Sequence, residues 1–148
     1  MLRTKQTLRL ASALTAARQQ RYRETGELPT ENPTALHGQC PRNAYVLAST
    51  LEDFGFSPMI VCGGFAEEPI GPDGIPRSSL PTTIRECRDE GQIHYWVEAR
   101  TRTVKADLAA EFPDSHPRQG RPLISQSVPS NYYYLEDGLR YTFNPPPQ

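Results

Sequence analysis

The chain has 148 residues, with 16 Lys and Arg against 17 Asp and Glu and a formal net charge of −1, a size that fits one domain, residues 1–148, with a real core. No apolar run approaches the ~18 residues of a membrane helix, the longest being broken by Arg9, Glu52 and Gly63, so a soluble protein with no membrane partner is expected. Its three cysteines, Cys40, Cys62 and Cys87, are an odd number, and a chain of this length needs no disulfide staples, which favours free thiols in the cytoplasm.

Charge is uneven along the chain: no acid precedes Glu24, whereas Arg3, Lys5, Arg9, Arg18, Arg21 and Arg23 all do. Such a start also fits a transit peptide, but Leu8, Ala11, Leu14 and Ala17 make one stripe of an ordinary amphipathic helix, expected over about residues 4–24. Six charges without interleaved aromatics or a recognisable motif read as a solvated face, so no nucleic-acid partner is expected. Residues 26–36, with Pro29 and Pro33, are loop chemistry.

The stretch HGQCPRNAYVLASTLEDFGF, residues 37–56, opens a second helix. Pro41 suits the first helical position, which puts Cys40 at the N-cap. Ala44, Leu47, Ala48, Leu51 and Phe54 form the buried face, and Gly55 stands where a left-handed C-terminal cap is wanted. SPMIVCGGF reads as a strand ended by Gly63 and Gly64. Residues 66–85 hold four prolines and no periodicity, a long loop expected to border or cover a functional cleft.

QIHYWVEARTRTVKADLAAEF alternates in both halves, with His94, Trp96 and Glu98 on one side and Ile93, Tyr95 and Val97 on the other. A hairpin centred between Arg100 and Thr101 sets His94 directly opposite Asp107, on the same face. NYYYLEDGLRYTF supplies a C-terminal hairpin over about residues 131–143, turning at Asp137-Gly138. Helices followed by hairpins make the expected class α+β, with N-terminal helices, one headed by a cysteine, packed on an antiparallel sheet.

The chemistry concentrates in Cys40, His94 and Asp107. A cysteine at a helix start faces unpaired N–H groups and the positive end of the helix dipole, which favour thiolate. A carboxylate opposite the imidazole can hold its second nitrogen, the orienter's role in a nucleophile, base and acid triad. Taken together, GQC opening a helix, FGF leading into the MIVCGGF strand, HYWVE and then VKADL, over about residues 38–108, resemble the transglutaminase-like (papain-like) cysteine enzymes. The resemblance implies a transglutaminase-like core and a catalytic triad of Cys40, His94 and Asp107. It also implies a thioester formed with the acyl group of an amide. The usual Asp-Pro is replaced here by Asp107-Leu108.

The expected mechanism is attack by the Cys40 thiolate on an amide or ester carbonyl, leaving-group protonation by His94, and tautomer control by Asp107. Water as acceptor gives a peptidase or amidase, and an amine gives an acyltransferase; a peptide or protein is the expected partner, with no cofactor. The Cys40 N–H is the first oxyanion donor, with Gln39 and Gln92 as further candidates, although a glutamine beside a motif is more often polar surface. Trp96 is expected to cover the site, and Glu98 to serve a surface pairing. His37 is a cleft candidate, although a surface loop histidine is the simpler reading. His37 and Cys40 form only one close ligand pair, which argues against a structural metal site. The alternative from another class is a non-catalytic peptide- or protein-binding module on the same fold. Nothing in the sequence fixes an oligomeric state.

Overall fold

The 22 residues of α1 (Thr4–Thr25) contain neither glycine nor proline, and the helix stops at Gly26, which takes a φ of 75°. The computed structural model describes residues 4–27, 35–36, 38–66, 79–99, 104–109, 121–126, 128 and 131–143. Leu10, Ala13, Leu14 and Ala17 are the buried stripe of α1, while Leu8 and Ala11 face outward. The stripe is therefore rotated from the expected one, because 10, 13, 14 and 17 follow the i, i+3, i+4, i+7 spacing of a single face.

α2 (Cys40–Asp53) buries Ala44, Leu47, Ala48 and Leu51. Its N-cap is Gln39, with no side-chain cap bond, so Cys40 is the first helical residue, one position inside the expected cap. Gly55, at a φ of 90°, closes the helix as its position predicts. The chain then enters β1 (Pro58–Phe65).

A short α3 (Ile84–Asp89) occupies the end of the stretch expected to be structureless, and residues 67–78 of that stretch lie outside the described residues. Its signal was present in the sequence: the Thr83 hydroxyl accepts from Glu86 N, and the Glu86 carboxylate reaches back to accept from Thr82 N at 3.0 Å. That is a capping box displaced by one residue.

β2 (Ile93–Ala99), β3 (Val104–Asp107), β4 (Leu123–Ser125), β5 (Tyr132–Tyr133) and β6 (Arg140–Thr142) complete a six-stranded antiparallel sheet. The order is β4-β3-β2-β1, with β5 and β6 both on the outer side of β1. The fold class is thus α+β.

The expected C-terminal hairpin does not form. β5 and β6 pair with β1 instead of with each other, as two collinear pieces of one edge strand with residues 134–139 extruded between them. The extrusion is held elsewhere. Asp137 accepts from Ile84 N at 2.7 Å and Glu136 N donates to Thr82 O at 2.8 Å, while Leu139 O accepts from Cys62 N at 2.9 Å. The Asp137-Gly138 turn thus docks on the start of α3.

The β2–β3 register also differs from the expected one. Val97 pairs with Ala106 and Ala99 with Val104, which shifts the ladder by two residues and leaves His94 diagonal to Asp107. A shift of two is a full strand period, so every side chain keeps its face. Burial alone does not choose between the two registers. The observed one leaves residues 100–103 for the connection, whose centre lies one residue beyond the expected centre between Arg100 and Thr101.

Candidate functional site

Opposed residues of an antiparallel ladder share a face, and the register sorts the site residues into two groups. Ile60 pairs with Val97 and Cys62 with Tyr95, on the side carrying the helices, where Val97, Ala99, Val104 and Ala106 pack against Leu47, Ala48 and Leu51 of α2. Val61 pairs with Trp96 and Gly63 with His94 on the other side, together with Glu98, Lys105 and Asp107.

On that second side His94 and Asp107 meet. Nε2 of His94 lies 2.6 Å from Oδ2 of Asp107, with His94 0% and Asp107 3% exposed. With the carboxylate oxygen as acceptor, Nε2 is the donor of this bond. The Tyr132 hydroxyl also donates to Oδ2, and Ala109 N donates to Oδ1 at 3.2 Å.

Rings enclose the pair: Tyr132 has its centroid 4.5 Å from that of His94, Trp96 stacks on His94 at 6.2 Å and 26°, and Phe65 stands at 6.3 Å. Trp96 thus lies alongside the imidazole. Glu98, expected at the surface, is buried. It accepts from Trp96 Nε1 at 3.3 Å and Tyr134 Oη at 2.5 Å, and pairs with Arg140 at 3.4 Å. Burial first, then the bond to Glu98, pushes the Tyr134 phenol up to about 12.

Cys40 belongs to the other side. It heads α2, which packs on the helix-bearing face, and its charge is felt by Cys62 and Tyr95 of that face. Tyr95 donates to the Cys62 sulfur; burial first, then that bond and the neighbouring Cys62, Cys40 and Tyr141, push the phenol up to about 12. Burial pushes the Cys62 thiol up against the Tyr95 bond, with Cys40 adding to the rise. Burial likewise raises the Cys87 thiol, opposed by its contact with Tyr133 Oη at 3.4 Å.

The structure therefore brings together His94, Asp107 and Trp96 and leaves Cys40 across the sheet from them. Gln39 is tied to its neighbours: its Nε2 donates to Ala35 O at 3.2 Å and its Oε1 accepts from Arg21. Gln92 accepts from Tyr133 Oη at 3.5 Å. His37 lies outside the described residues. Tyr132 was missed in the sequence because one tyrosine of three in NYYY carries no mark of a carboxylate partner. Among the described residues, no three His, Cys, Asp or Glu side chains are grouped to hold a metal ion, and no helix is long and apolar enough to cross a membrane. No family model, curated protein or solved structure matches the chain.

Proposed function

We propose that the chain is a peptide- or protein-binding module on a transglutaminase-like core, with its cysteine, histidine and aspartate not joined as a triad. The observation that carries this reading is that α2, which Cys40 heads, packs on the Val97 and Ala106 face of the sheet while His94 lies on the opposite face, with the imidazole wholly enclosed. A nucleophile has to come within hydrogen-bond reach of its base, and no side-chain rotation passes through a paired sheet. His94, Asp107 and Tyr132 act instead as a buried polar pin between β2, β3 and β5. The binding surface is the helix-bearing face, where partly exposed Tyr45, Ile60 and Tyr95 adjoin Tyr141 and Leu139, 50% and 44% exposed. Apolar and aromatic side chains gathered in this way suit the side chains of a peptide partner.

A second reading is a cysteine-dependent amide hydrolase or acyltransferase, favoured by the 2.6 Å His94–Asp107 bond and by Cys40 in the first turn of α2. It requires the start of β2 to part from Gly63 and Gly64 before thiol and imidazole can meet.

Alkylation by iodoacetamide at neutral pH, mapped by peptide mass spectrometry, separates the two readings when combined with an acyl-electrophile probe. The binding module predicts no rate advantage for Cys40 and peptide-library binding that survives Cys40→Ala. Rapid stoichiometric acylation of Cys40, abolished in His94→Ala, overturns it in favour of the enzyme.

A further inference from the structure

α1 carries no acid before Glu24, and Glu24 is already taken by Arg21 and Arg42, so the field along the helix is positive. On the flank beside its buried stripe, Leu14, Thr15, Arg18, Gln19 and Tyr22 line a cavity of about 270 Å³ together with Pro122, the residue before β4. Arg18 is the one charged residue of these six. Its guanidinium carbon lies over the Tyr22 ring, 5.1 Å from the centroid, a stack that holds the guanidinium but offers it no acceptor. Arg21, Arg42 and Arg140 each have a carboxylate. Arg18 has none among the described residues, and its Nε is shielded from water with no hydrogen-bond partner there. A half-buried cation with a dry, unmatched N–H is costly, and an anion seated in the cavity compensates it.

We propose that this cavity binds a small monocarboxylate with an apolar body, its carboxylate against Arg18 and its apolar group against Leu14, Tyr22 and Pro122. The charge count selects the anion: one guanidinium matches one carboxylate, for which its planar fork is suited, whereas a phosphate dianion between apolar walls is left undercompensated. Size selects the body, because the volume falls just below the ~300–1,000 Å³ of pockets that enclose drug-sized ligands. Thr15 and Gln19, at the exposed rim, add a hydroxyl and an amide. They also border a shallower groove of about 370 Å³ over Ala11, Ser12 and Ala16, which has room for whatever the acid is attached to. The acid is therefore either a free molecule or the last residue of a peptide chain. The site stands apart from Cys40 and His94, and it holds for a binding module and for an enzyme alike.

The test is titration of benzoate into the nitrogen-15-labelled full chain, followed by NMR at the Arg18 Nε–H and at the Thr15 and Gln19 amides. These signals should move together and saturate. Benzamide, which has the same shape without the charge, should bind about tenfold more weakly or worse, the factor that accompanies loss of a hydrogen bond to a charged group. Arg18→Met, with folding verified by far-UV circular dichroism, should weaken benzoate by a similar factor, and Arg18→Lys by less. A peptide ending in a free leucine carboxylate, compared with its C-terminal amide, separates the two sources: tighter binding than benzoate that is lost on amidation assigns a chain terminus, and weaker binding assigns a free acid. No saturable shift, equal affinity for benzamide, tighter binding of inorganic phosphate, or undiminished benzoate affinity in folded Arg18→Met overturns the proposal. Should Arg18→Met fail to fold, the comparison of benzoate with benzamide on the wild type decides.

Discussion

Replacing Asp107 with alanine removes a buried carboxylate that receives His94 Nε2–H at 2.6 Å, the Tyr132 hydroxyl and Ala109 N–H at 3.2 Å. His94, Tyr132 and Ala109 are themselves buried, so none of the three donors can turn to water in place of the lost oxygen. Each buried donor deprived of its acceptor costs about 1–3 kcal/mol. The three share one carboxylate and relax together, so the costs do not add in full, and we expect about 4 kcal/mol for Asp107→Ala. Asp107→Asn keeps the shape and one acceptor oxygen, and should cost about 2 kcal/mol. Urea unfolding at pH 7 measures both, and the fluorescence of the single tryptophan, Trp96, reports directly on the rings around the pair. With a urea slope of about 1–3 kcal/mol per molar, the alanine variant's midpoint should fall by more than ~1 M. His94→Ala combined with Asp107→Ala should cost clearly less than the two single changes added, because each alone removes the same bond. An Asp107→Ala protein within about 1 kcal/mol of wild type, or strict additivity in the double variant, refutes the pin.

Hydrogen bonds from Arg42 foremost, opposed by burial and reinforced by Arg21 and Gln20, hold the Glu24 carboxyl at about 2. A depressed carboxyl stabilises the fold above its ordinary 4.5 and loses that contribution as pH falls through about 2. Exposure and screening limit the effect to about 1 kcal/mol. The difference in Tm between wild type and Glu24→Gln, present at pH 7, should therefore close as the pH approaches 2, and a difference independent of pH contradicts the ion-pair account. Gly63→Ala puts a Cβ 2.2 Å from a Trp96 ring carbon and 2.8 Å from the Tyr133 carbonyl oxygen; the overpacking should cost about 3 kcal/mol or more, and an unaltered melting curve argues against the close approach. Cys62→Ala removes a buried sulfur that accepts from Tyr95 and should lower the urea midpoint by about 1 kcal/mol-equivalent, with the Tyr95 phenol titrating at a lower pH, since that bond helps to raise it. Thr83→Ala removes the α3 cap and should cost about 1 kcal/mol, seen as faster amide exchange at Ile84 and Glu86 if the cap holds the first turn.

Much of the fold is local and was legible. The i, i+3, i+4 spacing of Ala44, Leu47, Ala48 and Leu51, with Gly55 behind them, specified α2 and its end. Strict alternation in IHYWVEA set His94 and Trp96 on one face and Tyr95 and Val97 on the other, and it survived a two-residue error of register because a strand's faces repeat every second residue. The same alternation set His94 and Asp107 on one face, where they bond, although they are diagonal and not directly opposed as the expected register had them.

Three things were decided only in three dimensions. Which face of the sheet α2 covers sets Cys40 beside Tyr95 rather than beside His94, and helix-to-sheet docking depends on the summed apolar surface of Val97, Ala99, Val104 and Ala106, not on any motif. The Asp137-Gly138 turn looks the same in sequence whether it closes a hairpin or bulges from an edge strand, and its capping of α3, distant in the chain, decided the matter. Arg21 joins α1 to Asn43 and Gln39 at the start of α2 through a buried guanidinium. Local periodicity carries no information about that pairing, because its energy exists only once α1 has packed on α2.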